Sequence, residues 1–148
     1  MIDDMYNAKI LELAGNIPRI GRLPNAQGSS TKHSRLCGST VTVDVTLADG
    51  RVTDYAHEVK ACALGQASAS ILARSVVGAE ISEIRAAREG LRAMLKDGAP
   101  PPTGRFADLA FLEPVREYKA RHTSTMLPFE ALCEAIETIE GTDAAATA

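Results

Sequence analysis

Residues 60–70 read Lys-Ala-Cys-Ala-Leu-Gly-Gln-Ala-Ser-Ala-Ser and join two strand-like runs to a long segment of small residues. We interpret residues 63–77 as a helix, which places Cys62 at its amino end, where unpaired backbone N–H groups favour negative charge. Such positions favour the thiolate, the form of cysteine that binds metal or attacks sulfur. The alternative is a buried structural cysteine in front of a tightly packed helix. This stretch alone leaves both interpretations open.

A hairpin precedes this stretch. Residues 40–47 alternate between polar and apolar side chains, which predicts a half-buried strand. Its apolar positions are Val41, Val43, Val45 and Leu47. Ala48-Asp49-Gly50 has the composition of a hairpin turn, and a second strand is expected over residues 51–58. Because a hairpin returns its second strand beside the first, Cys37 and Cys62 are expected to lie close together at one sheet edge.

Helical periodicity accounts for most of the remaining chain. The first helix is expected to be capped by Asp3 or Asp4 and to turn Tyr6, Ile10 and Leu13 to one side. We expect the polar, glycine- and proline-containing residues 16–34 to form a loop. Further helical segments are expected at residues 81–95, 106–112 and 124–139, the last with Pro128 awkwardly placed inside it.

The composition is that of one ordinary globular domain, for which we expect residues 1–140, with 141–148 as a flexible tail. The 148 residues carry a formal net charge of −3, and the basic residues are scattered rather than clustered into the basic patch typical of nucleic-acid-binding proteins. No apolar run is long enough for a membrane span. Three cysteines behind an acidic amino terminus argue against export and a disulfide framework, so we expect reduced thiols and a cytoplasmic location.

Five motifs in order resemble the iron–sulfur scaffold family of IscU, SufU and the NifU amino-terminal domain. They are Tyr6 with Lys9-Ile10-Leu11, Asn16-Ile17-Pro18-Arg19-Ile20-Gly21, Leu36-Cys37-Gly38, Ala61-Cys62-Ala63 with the serine-rich helix, and Val115-Arg116-Glu117-Tyr118-Lys119-Ala120-Arg121. The resemblance covers about residues 6–132.

This resemblance implies an α+β fold, in which a small antiparallel sheet packs against several helices and a metal or cluster site lies at one end. Family members hold a nascent [2Fe–2S] cluster, iron or, in some cases, zinc through three cysteines and one aspartate. Sulfur comes from a cysteine desulfurase, and acceptor apo-proteins receive the product. The resemblance implies no enzymatic activity, and it leaves open a homodimer that shares one cluster.

The chain departs from the family pattern at two of the four ligand positions. Ser39 stands where the family has aspartate, and Ser124 falls at the third cysteine. A serine hydroxyl is a poor ligand at neutral pH, because it must first lose a proton of high pKa. The predicted ligands are therefore Cys37 and Cys62, with His122 as a candidate substitute. The predicted flanking residues are Gly38, Lys60 and Arg121. The family's Leu-Pro-Pro-Val-Lys chaperone motif is absent, which argues against that partner.

The third cysteine and the histidines have alternative interpretations. Cys133 follows Ser124 by nine residues, about 900° of helical rotation, so on one helix the two lie on opposite faces and Cys133 is expected in the core. His33 is a candidate fourth ligand, although for each histidine a solvated or packing role is the common one.

The residues and the resemblance are compatible with three functions. The favoured function is that of a scaffold that binds a transient cluster, iron or zinc. The alternatives are a degenerate scaffold that binds partners without a cluster, and a zinc-dependent sulfur acceptor. A cysteine-nucleophile enzyme with His57 or His122 as base has no supporting signature or third orienting residue.

Overall fold

The computed structural model describes residues 7–35 and 38–147, with side chains described as far as Gly141. The predicted Asp3, Asp4, Tyr6 and Cys37 therefore lie outside the described residues. In chain order the elements are helix α1 (Ala8–Gly15), strands β1 (Gly28–His33), β2 (Thr40–Ala48) and β3 (Arg51–Lys60), helices α2 (Ala63–Ser75) and α3 (Ile81–Asp97), two 3-10 helices (Gly104–Glu117 and Lys119–Arg121) and helix α4 (His122–Thr147). The predicted α+β class is confirmed.

Helix α1 is capped by Asn7, whose side chain accepts a hydrogen bond of 3.0 Å from the Ile10 amide. An asparagine directly before the first helical residue satisfies the amide group that an N-cap serves, whereas the predicted cap residues Asp3 and Asp4 lie outside the described residues. The predicted inward face is confirmed at Ile10 and Leu13, which are both buried.

The three strands form one antiparallel sheet in the order β1-β2-β3. The predicted hairpin joins β2 and β3, and Asp49 and Gly50 have the left-handed φ values of 54° and 75° that its turn requires. In this register Thr40 pairs with Lys60. The chain segments just before β2 and just after β3 therefore meet at one sheet edge, as predicted.

Strand β1 lies within the segment that the sequence predicted as a loop, so that prediction was wrong. The segment pairs with β2 from Gly28 opposite Val45 to His33 opposite Thr40. It has no apolar run because its buried positions, Gly28 and Ser30, are small. A Cβ atom added at Gly28 would come within 2.6 Å of the Ala135 carbonyl oxygen of α4, so the helix packs directly on the strand backbone.

The core lies between the sheet and the helices. Helix α4 packs on β1 and β2, and α2 packs on α1 and α4. The valines at 41, 43 and 45 are completely buried, and they are joined by Leu64 and Leu72 of α2 and by Phe129 and Leu132 of α4. Burying each of these large side chains is worth about 1.5–3 kcal/mol relative to leaving it exposed.

The second half of the chain differs from the prediction at element ends. The expected turn at residues 106–112 is part of a 3-10 helix that continues through Pro114. Helix α4 begins at His122, two residues before the expected start, and its backbone remains helical to Thr147 with Pro128 inside it. The single domain at residues 1–140 and the flexibility of the tail remain predictions. Within the described ranges no helix is both long and apolar enough to cross a membrane.

Candidate metal-binding site

Cys62 is the N-cap residue of α2, as the sequence predicted. Its backbone is extended, with φ −66° and ψ 170°, and its carbonyl accepts the first helical hydrogen bond from Gln66 at 2.9 Å. The Gln66 side chain also donates to the Ala61 carbonyl at 2.8 Å, which ties down the residue before the cysteine. The thiol is half-buried, so it is both held in place and reachable from outside.

Ser124 lies beside this thiol. Its Oγ atom is 3.5 Å from the Cys62 Sγ atom, although the two residues are 62 positions apart in the chain. The hydroxyl is fully buried and also donates to the Arg121 carbonyl at 3.2 Å. With its proton directed to that carbonyl, the hydroxyl oxygen is left to accept a hydrogen bond from the thiol.

Close backbone contact between α2 and α4 sets this separation. A Cβ atom added at Gly65 would lie 2.8 Å from the Ala61 Cβ atom and 3.2 Å from the Ser124 carbonyl oxygen. Ser68 bridges the same helices by donating to the Thr125 carbonyl at 2.6 Å. The small residues of α2 therefore bring the start of α4 to the end of β3, where Cys62 lies.

The other side of the sheet edge carries Gly38 and Ser39. Gly38 has a left-handed φ of 69°, and its amide donates to the Ser34 carbonyl at 2.9 Å. The Ser34 amide in turn donates to the Ser39 carbonyl at 2.8 Å. Ser39 is only 2% exposed, so an aspartate in its place would have to be charged in a nearly closed position. Cys37, which comes just before these two residues, is outside the described residues.

His122 is buried and bonded to the backbone. Its Nε2 atom lies 3.1 Å from the Val115 carbonyl oxygen and 3.2 Å from the Arg116 carbonyl oxygen, so it carries the proton and donates it. A metal ion would have to bind the Nδ1 atom instead. The role of His122 as a substitute ligand thus remains a prediction with one nitrogen available.

The other histidines have partners of their own. His33 is exposed, and its Nδ1 atom is 2.9 Å from the Thr40 hydroxyl. His57 is completely buried, and its Nε2 atom donates to the Pro18 carbonyl at 2.9 Å. Burial lowers the pKa of His57, although the Pro18 hydrogen bond opposes that shift. These contacts give His57 a packing role rather than that of a catalytic base.

Cys133 lies in the core, as the sequence predicted, whereas the flanking role of Lys60 and Arg121 remains a prediction. Lys60 is exposed at the end of β3, and Arg121 is partly buried directly before α4. The Arg121 carbonyl accepts hydrogen bonds from both Ser124 and Thr125. Cys133 is 1% exposed in the core, and burial raises the pKa of its thiol to about 11.

The donor set at the edge suits a soft metal only in part. Cys62 supplies one thiol, and Ser124 supplies a neutral hydroxyl that binds metal poorly. Among residues 7–35 and 38–141, where side chains are described, no three His, Cys, Asp or Glu side chains form a group able to hold a metal ion. A complete site therefore needs ligands in addition to Cys62, and Cys37 is the predicted one.

Two features of the structure were not predicted from the sequence. Asp44, predicted on the polar side of β2, is buried and accepts hydrogen bonds from Arg22, Ser29 and the Leu23 amide. Burial by itself would raise the Asp44 pKa, but these hydrogen bonds lower it overall. The second feature is a set of basic side chains near His122. They come from several distant elements, so no local pattern reveals them.

Known proteins resemble this chain over most of its length. The protein IscU of Thermotoga maritima, an iron–sulfur cluster assembly scaffold protein, is 27% identical over 135 residues, which cover 91% of this chain and 94% of IscU. A nitrogen-fixing NifU-like protein (N-terminal) from Brucella abortus is 58% identical, with a TM-score of 0.93, over 95% of this chain and 97% of its own. The SUF-system protein SufU of Fervidobacterium islandicum shares the fold, with a TM-score of 0.82 at 20% identity over 90% and 97% of the two chains.

The NifU-like N terminal domain family matches residues 5–125, a span that includes β1–β3, α2 and the pair of Cys62 and Ser124. The family resemblance of the motifs is thus confirmed over most of the chain. The chain belongs to the NifU-like N-terminal domain family of iron–sulfur assembly scaffolds.

Proposed function

We propose that this chain is a scaffold for iron–sulfur cluster assembly that holds a transient [2Fe–2S] cluster, iron or zinc through Cys37 and Cys62. Family membership and the scaffold role named for the Thermotoga relative support the general function. The observation that carries the proposal for this chain is the 3.5 Å separation between the Cys62 Sγ and Ser124 Oγ atoms. It is the separation expected if the third ligand position of the family is Ser124.

Two thiolates leave a metal ion or cluster incompletely bound, because zinc and iron–sulfur sites favour four protein ligands. The remaining positions are open to a sulfur-carrying partner, to Nδ1 of His122 or to the thiols of a second copy of the chain. A metal ion or cluster that is held by an incomplete set of protein ligands is released more readily to an acceptor protein. Ser124 then shapes the pocket and hydrogen-bonds sulfur without holding the metal firmly.

In this proposal a cysteine desulfurase supplies sulfur to the half-buried thiol of Cys62, and acceptor apo-proteins take up the product. The chain contributes positioning rather than turnover, in keeping with a scaffold that is not an enzyme. Lys60 and Arg121 add positive charge near Cys62, which offsets the negative charge of a thiolate and of sulfide. The proposed place of action is the cytoplasm.

Metal analysis of protein purified without oxygen tests the ligand assignment. We expect bound iron or zinc in the wild type, and its loss in Cys37→Ser and in Cys62→Ser. Cys133→Ala is the matched control, because that thiol is buried in the core. Loss of metal in Cys133→Ala, with retention in the other two variants, would overturn the assignment. The ratio of iron to zinc distinguishes a cluster scaffold from a zinc-dependent sulfur acceptor.

A second candidate function is partner binding without a cluster. The observation in its favour is that both substituted ligand positions are closed, with Ser39 2% exposed and Ser124 fully buried. Buried serines at these positions bind metal poorly, because a hydroxyl must first lose a proton of high pKa. Wild-type protein that remains free of metal after anaerobic reconstitution with iron and sulfide would favour this second function.

A further inference from the structure

Two adjoining cavities lie beside the beginning of α4, and both are lined by Lys96, His122 and Thr123. Their volumes are about 220 and 410 Å³. We call the two cavities together the basic groove, because five basic side chains line it: Lys32, Arg92, Lys96, Arg116 and Lys119. Among the described residues that line the two cavities, Glu130 is the one acidic residue.

Ion pairs neutralise only part of this charge. Arg92 contacts Glu130 at 2.8 Å, Lys32 contacts Glu134 at 3.3 Å, and Arg116 contacts Glu113 at 3.6 Å. For Lys96 and Lys119, no ion pair is formed with any other described residue. Both lysines are exposed. The groove thus carries excess positive charge on a protein whose formal net charge is −3.

The groove is next to the candidate metal-binding site. Thr123 lines both cavities, and the following residue, Ser124, has its Oγ atom 3.5 Å from the Cys62 Sγ atom. The amino end of α4 adds a partial positive charge at the same place. A bound anionic group would therefore lie beside the turn of α4 that carries Ser124, the residue in contact with Cys62.

The lining chemistry favours carboxylates over nucleic acid. The described residues that line the two cavities include no phenylalanine, tyrosine or tryptophan, so these residues offer bases no aromatic surface on which to stack. The negative net charge also repels a long polyanion, whereas a short acidic segment engages only the local positive field. Lysine side chains provide mobile point charges, which suit carboxylates at variable spacing.

We propose that the basic groove binds an acidic peptide segment of a partner protein and so positions that partner beside Cys62. The partner role rests on the proposed scaffold function, whereas recognition of an acidic segment by the groove does not depend on which metal is bound. Electrostatic contacts of this kind speed association and orient the partner more than they increase affinity.

The test uses a fluorescein-labelled hexaglutamate peptide and fluorescence anisotropy with the 148-residue chain. We expect binding at low salt that is lost at about 0.5 M NaCl, where the screening length is roughly 4 Å. Lys96→Gln/Lys119→Gln should weaken binding about tenfold, since it removes two exposed cations. The matched control is Lys9→Gln/Arg74→Gln, which removes two charges on α1 and α2 outside the groove and should leave binding unchanged.

Equal weakening in both double variants, or no peptide binding at low salt, would overturn the proposal. So would tighter binding of a thymidine decamer through Lys96 and Lys119, because the groove would then bind nucleic acid. Iron and zinc contents of the same samples separate the two proposals. If Lys96→Gln/Lys119→Gln loses peptide binding but keeps its metal content, the result supports peptide binding by the groove. If the wild type contains no metal but still binds the peptide, the result contradicts only the cluster-binding function.

Discussion

Replacement of Ser124 by cysteine is expected to strengthen zinc binding by the chain. The hydroxyl already lies 3.5 Å from the Cys62 Sγ atom, so a thiolate in its place would lie within reach of the same ion. The replacement differs by one atom and leaves the backbone contact between α2 and α4 unchanged. Ser124→Cys thus isolates the chemistry of the ligand from the shape of the site.

The magnitude follows from two opposing contributions. On zinc binding the thiol introduced at position 124 loses its proton, and with it a hydrogen bond to the Arg121 carbonyl, at a cost of about 1 kcal/mol. That carbonyl keeps its second donor, Thr125 Oγ1, at 2.8 Å, which limits the loss. A structural zinc site gains roughly 10–16 kcal/mol from four ligands, or on the order of 3 kcal/mol for each. The net gain of about 2 kcal/mol corresponds to roughly thirtyfold tighter binding.

The assay is a competition for zinc between the protein and a chromophoric chelator. It is run without oxygen and with a reductant, because two thiols this close are able to oxidise to a disulfide. Ser70→Cys is the matched control, since Ser70 is also fully buried and also bonds a backbone carbonyl, that of Asn16. A folded Ser124→Cys protein with wild-type affinity, or equal tightening in Ser70→Cys, would refute the placement of the third ligand position.

Three further outcomes are expected. In urea denaturation measured across pH, the wild-type free energy of unfolding should decrease as the pH drops below about 6.5. The reason is that His57 takes up a proton there in the unfolded chain, whereas its lowered pKa keeps it neutral in the folded chain. A pH profile unchanged in His57→Gln would contradict this. Gly28→Ala should destabilise the fold by about 1–3 kcal/mol, since its Cβ atom would meet α4 backbone at 2.6 Å, whereas Gly15→Ala, with open space around it, should not. Alkylation of folded protein at about pH 8, read by mass spectrometry, should label Cys62 well before Cys133, whose burial raises its pKa to about 11, and equal rates would be evidence against that burial.

Elements with strong local signals were predictable from the sequence. The alternating valines and the Asp49-Gly50 turn define the β2–β3 hairpin, since both depend on neighbouring residues only. Strand β1 was not predictable in this way. Its buried positions, Gly28 and Ser30, look like loop residues until α4, more than a hundred residues later, packs on them.

Positions of site residues were predictable where local sequence pattern or the family resemblance indicated them. The position of Cys62 at a helix end followed from local pattern, whereas its contact with Ser124 required the alignment to the family motif. The orientation of His122 toward two backbone carbonyls depends on the 3-10 helix before it, which periodicity did not reveal. The buried Asp44 likewise depends on Arg22 from a distant loop.

The glycine at position 65 has a consequence for how the metal preference of the proposed site is able to change. Because main-chain atoms of α2 and α4 touch there, the gap between positions 62 and 124 is set by the backbone and does not depend on the side chains that fill it. Exchange of serine and cysteine at position 124 is therefore expected to change metal affinity while the surrounding backbone stays in place. Cargo preference and fold stability are thus free to vary separately, one through side-chain identity and the other through the contact between the two helices.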